Sequence, residues 1–304
     1  MLRARPYPPL AADVLDECDT YPSHMANGSA RRDDREVGGA WSSFQRHWYG
    51  DPSPDLAPFI SGYWFVEWDL HGQPPYRQLI VPNPTVHLSF VHDTAAAVHG
   101  VARGHVFRTL EGVGRVFGVA FRPGCFRPFL GSAVSSITDR SVLARDVFGF
   151  AVAEPVMSQA TDEVQMVNVV ERFLRAKLPS RDPTAETVAA IVTRIAAEPD
   201  ITRVDTLADQ HGIGVRQLQR LFAEYVGVGP KWVIRRYRLL EVNRRLEMGV
   251  AVDWARLAAE LGYADQAHFS REFTAMIGEP PTRYAQRYPS PHRPVDRSRT
   301  SHRY

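Results

Sequence analysis

The sequence predicts an α+β protein, in which a β-rich N-terminal domain with helices at its end precedes an all-α C-terminal domain. Short β-branched and aromatic runs, separated by turn residues, fill much of residues 44–125. Helical periodicity follows, and one helical pattern recurs at an interval of about 50 residues near the C-terminus. A length of 304 residues also favours two domains over one.

Composition excludes several classes of protein. Apolar residues make up 44% and charged residues 23%, which excludes collagen-like, coiled-coil and wholly disordered chains. No apolar run is long enough to span a membrane, and no secretion signal follows the first arginines. The two cysteines, Cys18 and Cys125, exclude a disulfide framework and a four-cysteine zinc site. We expect a reduced, cytoplasmic protein without metal or cofactor.

The charge is distributed unevenly along the chain. A net charge of +2 is the sum of −2 over residues 1–180 and +4 over residues 181–304. Arginine supplies 34 of the 36 basic residues, a bias that a GC-rich genome explains by itself. The more basic C-terminal part suits a nucleic-acid partner, although the offset is small.

The N-terminal elements read in order as follows. Residues 1–40 have mixed charge and little periodicity, so we expect a disordered arm. Residues 41–178 are expected to form a β-rich sensing or dimerisation domain. Its strands should contain the runs at residues 64–68, 78–81, 86–90 and 116–121.

Helices should complete this domain. A short helix is expected from Ser141 to Phe148, and a longer one from Asp162 to Leu178 with apolar residues on one face. That face favours packing on the chain's own β-domain, and pairing with a second copy stays open. Residues 179–183, with two prolines, read as a linker, 184–287 as the helical domain, and 288–304 as a disordered basic tail.

The helical domain contains an internal repeat. Leu-Gln-Arg-Leu-Phe at 218–222 corresponds to Phe-Ser-Arg-Glu-Phe at 269–273, at an offset of 51 residues. The same offset relates Gly227 to Gly278 and Pro230 to Pro281. Each copy reads as a helix, a tight glycine turn and a second helix, which is the helix-turn-helix unit.

In the first unit, a short helix should begin near Thr206, a plausible N-cap, and the second helix should run from Val215 to Tyr225. Its spacing turns Leu218, Leu221 and Phe222 inward. Its outward residues are Arg216, Gln219 and Arg220.

In the second unit, Asp253 and Asp265 are expected to cap the two helices, and Phe269 and Phe273 to face inward. The outward and flanking residues are Gln266, Ala267, His268, Ser270 and Arg271. A long helix over residues 232–248, rich in arginine, should join the two units.

These two motif copies, with their linking helix, resemble the DNA-binding domain of the AraC/XylS family of transcription regulators over about residues 184–287. The resemblance implies a sequence-specific transcription regulator, activating or repressing, with double-stranded DNA and RNA polymerase as partners. The family usually has a serine where Gly214 stands, and glycine is a slightly weaker N-cap.

The resemblance also indicates how DNA would be read. Arginine pairs with guanine and glutamine with adenine in the major groove, so the outward residues of both units are candidate base contacts. Two tandem units should read segments about one DNA turn apart. Phosphates would be held near Thr206, Lys231 and Asp253, together with arginines of the linking helix.

Family members often carry a cupin-like barrel in the N-terminal half, and the order of strands and helices here is compatible with one. An effector pocket inside it would be lined by Trp64, His87, Phe90, Phe121 and Arg122. Ordinary core and surface packing of these five residues is the alternative. The resemblance further implies an unknown small-molecule effector and a homodimer.

Two alternatives remain beside a regulator. A β-barrel enzyme with an appended DNA-binding module is disfavoured: His87-Leu88-Ser89 lacks the second histidine of a cupin metal site, and Cys125 lacks the adjacent histidine of DNA-repair methyl acceptors. No phosphate loop or hydrolase motif is present either, so we expect no enzymatic activity. An architectural DNA binder without effector is the second alternative.

Overall fold

A computed structural model describes residues 44–91, 94–149, 160, 162–247 and 252–285. The predicted arm at residues 1–40 and the predicted tail at 288–304 lie outside these residues. No helix of the described part is long and apolar enough to cross a membrane.

Eight strands form the basis of the described part of the N-terminal half. They are β1 (Gln45–Gly50), β2 (Ile60–Asp69), β3 (Tyr76–Ile80), β4 (His87–Val91), β5 (Ala97–His99), β6 (Val106–Leu110), β7 (Val113–Phe121) and β8 (Ser141–Leu143). Six of them form an antiparallel sheet in the order β1-β2-β7-β4-β5-β8, while β3 and β6 form a separate two-stranded sheet. The β-rich prediction is therefore confirmed, as two sheets and not as a closed ring.

The large sheet has two different faces because side chains alternate along each strand. In β2, Tyr63 and Phe65 point to the face covered by helices, where both are buried in the main core. Trp64 points to the other face and lies against Gly118 of β7, where an added Cβ would come within 2.0 Å of the indole. The glycine therefore makes room for a tryptophan that covers this part of the sheet.

Among the described residues, three helices and one 3₁₀ turn complete this half. They are α1 (Arg127–Leu130), the 3₁₀ turn Val134–Ile137, α2 (Ala144–Phe148) and α3 (Glu163–Arg175). Asp162 caps α3 by accepting a hydrogen bond from the Gln165 amide at 2.8 Å. The apolar face of α3, including Val170 and Leu174, packs on the core of its own chain, as the preferred interpretation of the sequence predicted.

The helix predicted from Ser141 to Phe148 is wrong over its first three residues. Ser141–Leu143 form strand β8, which pairs antiparallel with Ala97–His99. A three-residue edge strand carries too little local pattern to be distinguished from the start of the helix that follows it. The pairing is a tertiary contact.

The C-terminal half is all helical. Its helices are α4 (Pro183–Ala197), α5 (Val204–Gln210), α6 (Val215–Tyr225), α7 (Pro230–Glu247), α8 (Trp254–Glu260), α9 (Gln266–Ile277) and α10 (Pro281–Ala285). The second helix of the first unit has the predicted bounds, and the long linking helix α7 begins two residues earlier than predicted, at a proline suited to the first helical position.

The glycines of the repeat adopt the same unusual backbone in both units. Gly212 and Gly262 in the turns have φ values of 63° and 79°, and Gly227 and Gly278 at the exits have 95° and 90°. Residues with a Cβ rarely adopt this left-handed conformation, so the turn and the exit both favour glycine. The internal repeat of the sequence is thus a repeat of backbone geometry.

The hydrophobic core does not stop at the predicted linker. Val188, Ile191 and Val192 of α4 belong to the same cluster as the sheet and α3. A second cluster joins Leu79 and Val81 of the N-terminal half to the second helix-turn-helix unit. Both halves of the chain therefore share buried surface on each side of residues 179–183.

Candidate nucleic-acid interface

Helix α6 presents a polar face of the predicted composition. Leu218 and Phe222 are completely buried, while Arg216, Gln219 and Arg220 are exposed on the opposite side. The helix begins after Gly214, which has an extended backbone and no side chain that could cap the helix. Its exposed face is therefore free to approach a groove.

Helix α9 is equivalent, with a less open face. Phe269 and Phe273 are completely buried. The predicted contact residues divide into exposed Gln266, Ala267 and Arg271 and half-buried His268 and Ser270. Asp265 caps the helix by accepting from the His268 amide at 2.6 Å, as predicted.

His268 has a second constraint that the sequence analysis did not include. Its Nε2 lies 3.1 Å from Oε1 of Glu272, and Arg235 of α7 pairs with the same carboxylate oxygen. Glu272 was missed as a residue of this face, although its four-residue spacing from His268 is a sequence signal. His268 is therefore held against the protein, whereas Arg271 is not.

The arginines on the two faces differ from most others in this half. Arg194, Arg245 and Arg256 each form an ion pair with a nearby glutamate. Within the described chain, no ion pair or side-chain hydrogen bond involves the three arginines of the recognition faces, Arg216, Arg220 and Arg271. Their guanidinium groups have not been neutralised and can bind an acceptor from outside the chain.

Gln217 is a further polar residue of this face that the sequence analysis did not include. It is exposed in the first turn of α6, next to Arg216. Side chains in the N-terminal part of such a helix reach base edges, so position alone could have indicated it.

The predicted phosphate anchors at two helix ends need correction. Helix α5 begins at Val204 with Arg203 as its N-cap, so Thr206 is not the cap. The Thr206 amide already donates to Asp205 at 2.8 Å. Asp253 does cap α8, accepting from the amides of Ala255 and Arg256. Because carboxylates occupy these amides, neither end offers those N–H groups to a phosphate.

The remaining predicted anchors lie on α7. Lys231 is exposed in its first turn and has no ion pair with a described residue. Arg236 and Arg238 are buried instead, and their guanidinium groups donate to the carbonyls of Pro82 and Ile195 respectively. These two arginines hold neighbouring segments together, so their predicted role in binding phosphate is wrong. The long helix is a packed element, and only part of its surface meets solvent.

The five residues of the predicted effector pocket are not brought together. Trp64 and His87 share one face of the large sheet, where the indole Nε1 donates to His87 Nδ1 at 3.3 Å. Phe90 and Phe121 lie on the other face in the main core. Arg122 follows β7 and donates to the Ala57 carbonyl at 3.4 Å. The alternation of side chains along β4 separates His87 from Phe90, which excludes one pocket lined by all five.

The Trp64 face contains a polar cluster instead. His99 lies opposite His87 on the neighbouring strand, and its two ring nitrogens are 2.6 Å from Ser89 Oγ and 2.7 Å from Ser141 Oγ. Burial lowers the pKa of each histidine to about 4, with a further contribution from Arg108 at His99. Both imidazoles are therefore neutral at pH 7.

Cys125 does not resemble an activated nucleophile. It is buried, and burial raises the pKa of its thiol to about 11. A thiol that stays protonated at neutral pH is a weak nucleophile and a weak metal ligand.

The N-terminal half contacts both helix-turn-helix units at equivalent places. At the exit of α6, Thr138 Oγ1 donates to the Gly227 carbonyl at 2.6 Å, and Arg127 pairs with Glu224 at 3.0 Å. At the exit of α9, His105 Nδ1 donates to the Ala275 carbonyl at 2.9 Å. Ala275 corresponds to Glu224 in the repeat, at the same offset of 51. Helices α6 and α9 are thus both held at their C-terminal ends, away from their exposed first turns.

Two family models match parts of the chain. Residues 207–287 match one described as a helix-turn-helix domain. Residues 50–143 match one described as a domain of unknown function, DUF6597.

Curated relatives match within the helical half. The HTH-type transcriptional activator RhaS of Pectobacterium atrosepticum is 33% identical over 75 residues, which are 25% of this chain and 26% of that protein. RhaS of Pectobacterium carotovorum subsp. carotovorum is 32% identical over 76 residues, 25% and 27% of the two chains. The chain thus spans about a quarter of the length of these relatives.

Two solved structures match different shares of the chain. A transcriptional regulator of Chromobacterium violaceum with an AraC-type DNA-binding domain is 25% identical, covers 32% of this chain and 88% of its own, and has a TM-score of 0.29. ToxT of Vibrio cholerae, bound to a naphthalenyl butenoic acid, is 10% identical, covers 80% and 99%, and has a TM-score of 0.39. TM-scores this low do not establish a common overall arrangement.

Proposed function

Since residues 207–287 form a helix-turn-helix domain of the AraC/XylS type, we propose that this protein is a sequence-specific DNA-binding transcription regulator. It reads two adjacent major-groove segments, one with α6 and one with α9. No catalytic step forms part of the proposal.

One observation carries the proposal furthest. Arg220 and Arg271 stand at equivalent positions of the repeat, both exposed and neither paired with a charged residue of the described chain. Arginine donates two hydrogen bonds to O6 and N7 of guanine, and such a pair discriminates by about 1–3 kcal/mol. Arg216 and Gln219 add two further donors to the first face, and Gln266 adds one to the second.

The N-terminal half is proposed to control this reading. It contacts the exits of both recognition helices, so a change in its structure would alter how the two units are held relative to each other. A small-molecule effector is the simplest such signal. Dimerisation would need a surface other than the packed face of α3. Val164 is an exposed apolar residue of this helix.

Activation is the proposed direction of regulation, and the curated relatives alone support it. Both curated relatives are transcriptional activators, which supports activation. An activator at a promoter would have RNA polymerase as its partner. DNA remains the first partner to establish, because every other role depends on it.

Selection of bound duplexes from a random pool tests the proposal. We expect two short conserved blocks whose centres are about 10 base pairs apart, on one face of the duplex. A control selection with the Arg220→Ala variant should lose conservation in one block and keep the other. A pool without any enriched motif would indicate an architectural binder and contradict sequence-specific reading.

A further inference from the structure

A cleft of about 530 Å³ lies where the two halves of the chain meet. The N-terminal half lines it with Arg103, Arg140 and the hydroxyl-bearing residues of the 3₁₀ turn. The DNA-binding half contributes the segment Gly227–Gly229 and Trp232. Pockets of 300–1,000 Å³ commonly bind small molecules, and they often lie between domains.

The lining is positively charged. The described residues of the lining include two arginines and no carboxylate. Arg140 is exposed and forms no ion pair or side-chain hydrogen bond with any residue that the structure describes. Asp139, between Arg140 and the 3₁₀ turn, is directed at Arg103 instead: it accepts from the Arg103 amide at 2.7 Å and from its Nε at 2.6 Å. This pair positions one guanidinium while the other keeps its full charge.

Hydroxyl groups continue the polar wall. Ser135 and Ser136 are exposed at the cleft. Thr138 already donates to the Gly227 carbonyl at 2.6 Å, which ties the wall of one half to that of the other. Hydroxyl and guanidinium donors around a concave surface are suited to the oxygens of a carboxylate or a phosphate.

Trp232 lines the cleft on the side of the DNA-binding half. Its indole Nε1 donates to the Arg103 carbonyl at 2.9 Å, so the ring is oriented by a contact between the halves. The half-exposed ring adds an apolar surface beside the charged one. An aromatic or aliphatic body with one anionic group fits this combination better than a bare ion does.

We propose that this cleft is the effector site of the protein and binds a small organic anion between Arg140 and Arg103. The anion would contact both halves beside the exit of α6, where Thr138 holds Gly227. This deepens the function proposed above and rests on it only for the consequence, a change in DNA affinity. Binding of the anion itself requires no DNA.

Isothermal titration calorimetry of the full chain without DNA tests the site. Benzoate is the probe for an organic carboxylate, and inorganic phosphate is the probe for a bare oxyanion. We expect one saturable benzoate site with a dissociation constant of about 1 mM or tighter, and weaker phosphate binding. Phosphate binding as tight as that of benzoate would overturn the organic character of the ligand.

Two variants decide where the probe binds. Arg140→Gln should weaken benzoate binding by about tenfold or more. Arg172→Gln removes an exposed arginine of α3 that forms no ion pair with a described residue, and this variant should bind like wild type. The absence of saturable binding, or equal binding by wild type and Arg140→Gln, would overturn the site. The Arg140 side chain forms no ion pair or hydrogen bond with a described residue, and circular dichroism checks that the variant folds.

Fluorescence anisotropy with a selected duplex, with and without benzoate, tests the regulatory role. A change of about threefold or more in DNA affinity, absent in Arg140→Gln, supports it. An unchanged affinity with the anion bound overturns that role. A chain that binds no DNA refutes the proposed function, while the calorimetric result for the cleft stands independently.

Discussion

Gly227 and Gly278 occupy equivalent positions at the exits of the two recognition helices, and the N-terminal half packs against both. A Cβ added at Gly227 would lie 3.0 Å from Thr138 Oγ1, and one added at Gly278 would lie 3.4 Å from His105 and Leu79. The two units are therefore held by one body at the same point of their repeat. A structural change in the N-terminal half would therefore act on both units at once.

Gly227→Ala should lower stability. Its φ of 95° places the substituted residue in the left-handed region, which costs about 1–2 kcal/mol before the close contact with Thr138 is added. Urea unfolding measures the loss. The control is Gly214→Ser, at an extended N-cap with open space around it, which should change stability by only a few tenths of a kcal/mol. Equal stability of wild type and Gly227→Ala would contradict the tight exit.

Arg220→Ala and Arg271→Ala should each weaken discrimination at particular base pairs by about 1–3 kcal/mol. The reason is the loss of a guanidinium that no residue of the described chain neutralises. Anisotropy titrations at fixed salt, on selected and singly substituted duplexes, measure this. Arg256→Ala is the matched control, since that exposed arginine pairs with Glu260 at 2.9 Å. Wild-type affinity in both test variants would refute the recognition-helix assignment.

Stability should fall as pH decreases from about 6.5 towards 4. His87 and His99 have pKa values lowered from 6.5 to about 4, so the unfolded chain binds more protons than the folded chain in this interval. Their contribution is complete above pH 6.5 and is lost progressively as the pH falls through the folded-state pKa. Thermal unfolding at a series of pH values measures the slope.

The variant His99→Gln checks this interpretation of the slope. Its amide can still bond to Ser89 and Ser141 but cannot take up a proton in this range. The pH dependence between 6.5 and 4 should become shallower than in wild type. A slope unchanged by this substitution would assign the effect to other groups.

Asp253→Asn should preserve the N-cap of α8, because asparagine caps as well as aspartate. Asp253→Ala should cost about 1 kcal/mol, since the amides of Ala255 and Arg256 lose their acceptor. DNA affinity should stay equal or rise in Asp253→Asn, as a negative charge is removed. A marked fall in DNA affinity in a folded Asp253→Asn variant would restore Asp253 as part of the phosphate contact.

Much of the helical half is readable from sequence because its signals are local. The bounds of α6, the caps Asp253 and Asp265 and the inward Phe269 and Phe273 all follow from spacing within one or two turns. The glycines with left-handed backbone recur at equivalent positions of the two units, and this recurrence is visible in the sequence. Patterns of this kind do not depend on contacts with distant segments of the chain.

The errors concern contacts between distant segments. Strand β8 exists because it pairs with β5, about 40 residues earlier in the chain. Arg236 and Arg238 look like a basic surface in the sequence, yet they are buried against carbonyls of other segments. The predicted pocket is wrong because Trp64 and Phe90 lie on opposite faces of the large sheet, and the sequence of a strand does not show which of its faces meets the core.

The sequence by itself determined the two helix-turn-helix units, their recognition faces and the β-rich character of the N-terminal half. Periodicity, capping residues and glycine positions encode these features over short distances. Only the tertiary structure decided that the two halves share a core, that both units are held at equivalent exits, and that Arg140 lies at a cleft between the halves. Such features depend on which surfaces lose water against each other, and burial of that kind leaves no periodic trace along the chain.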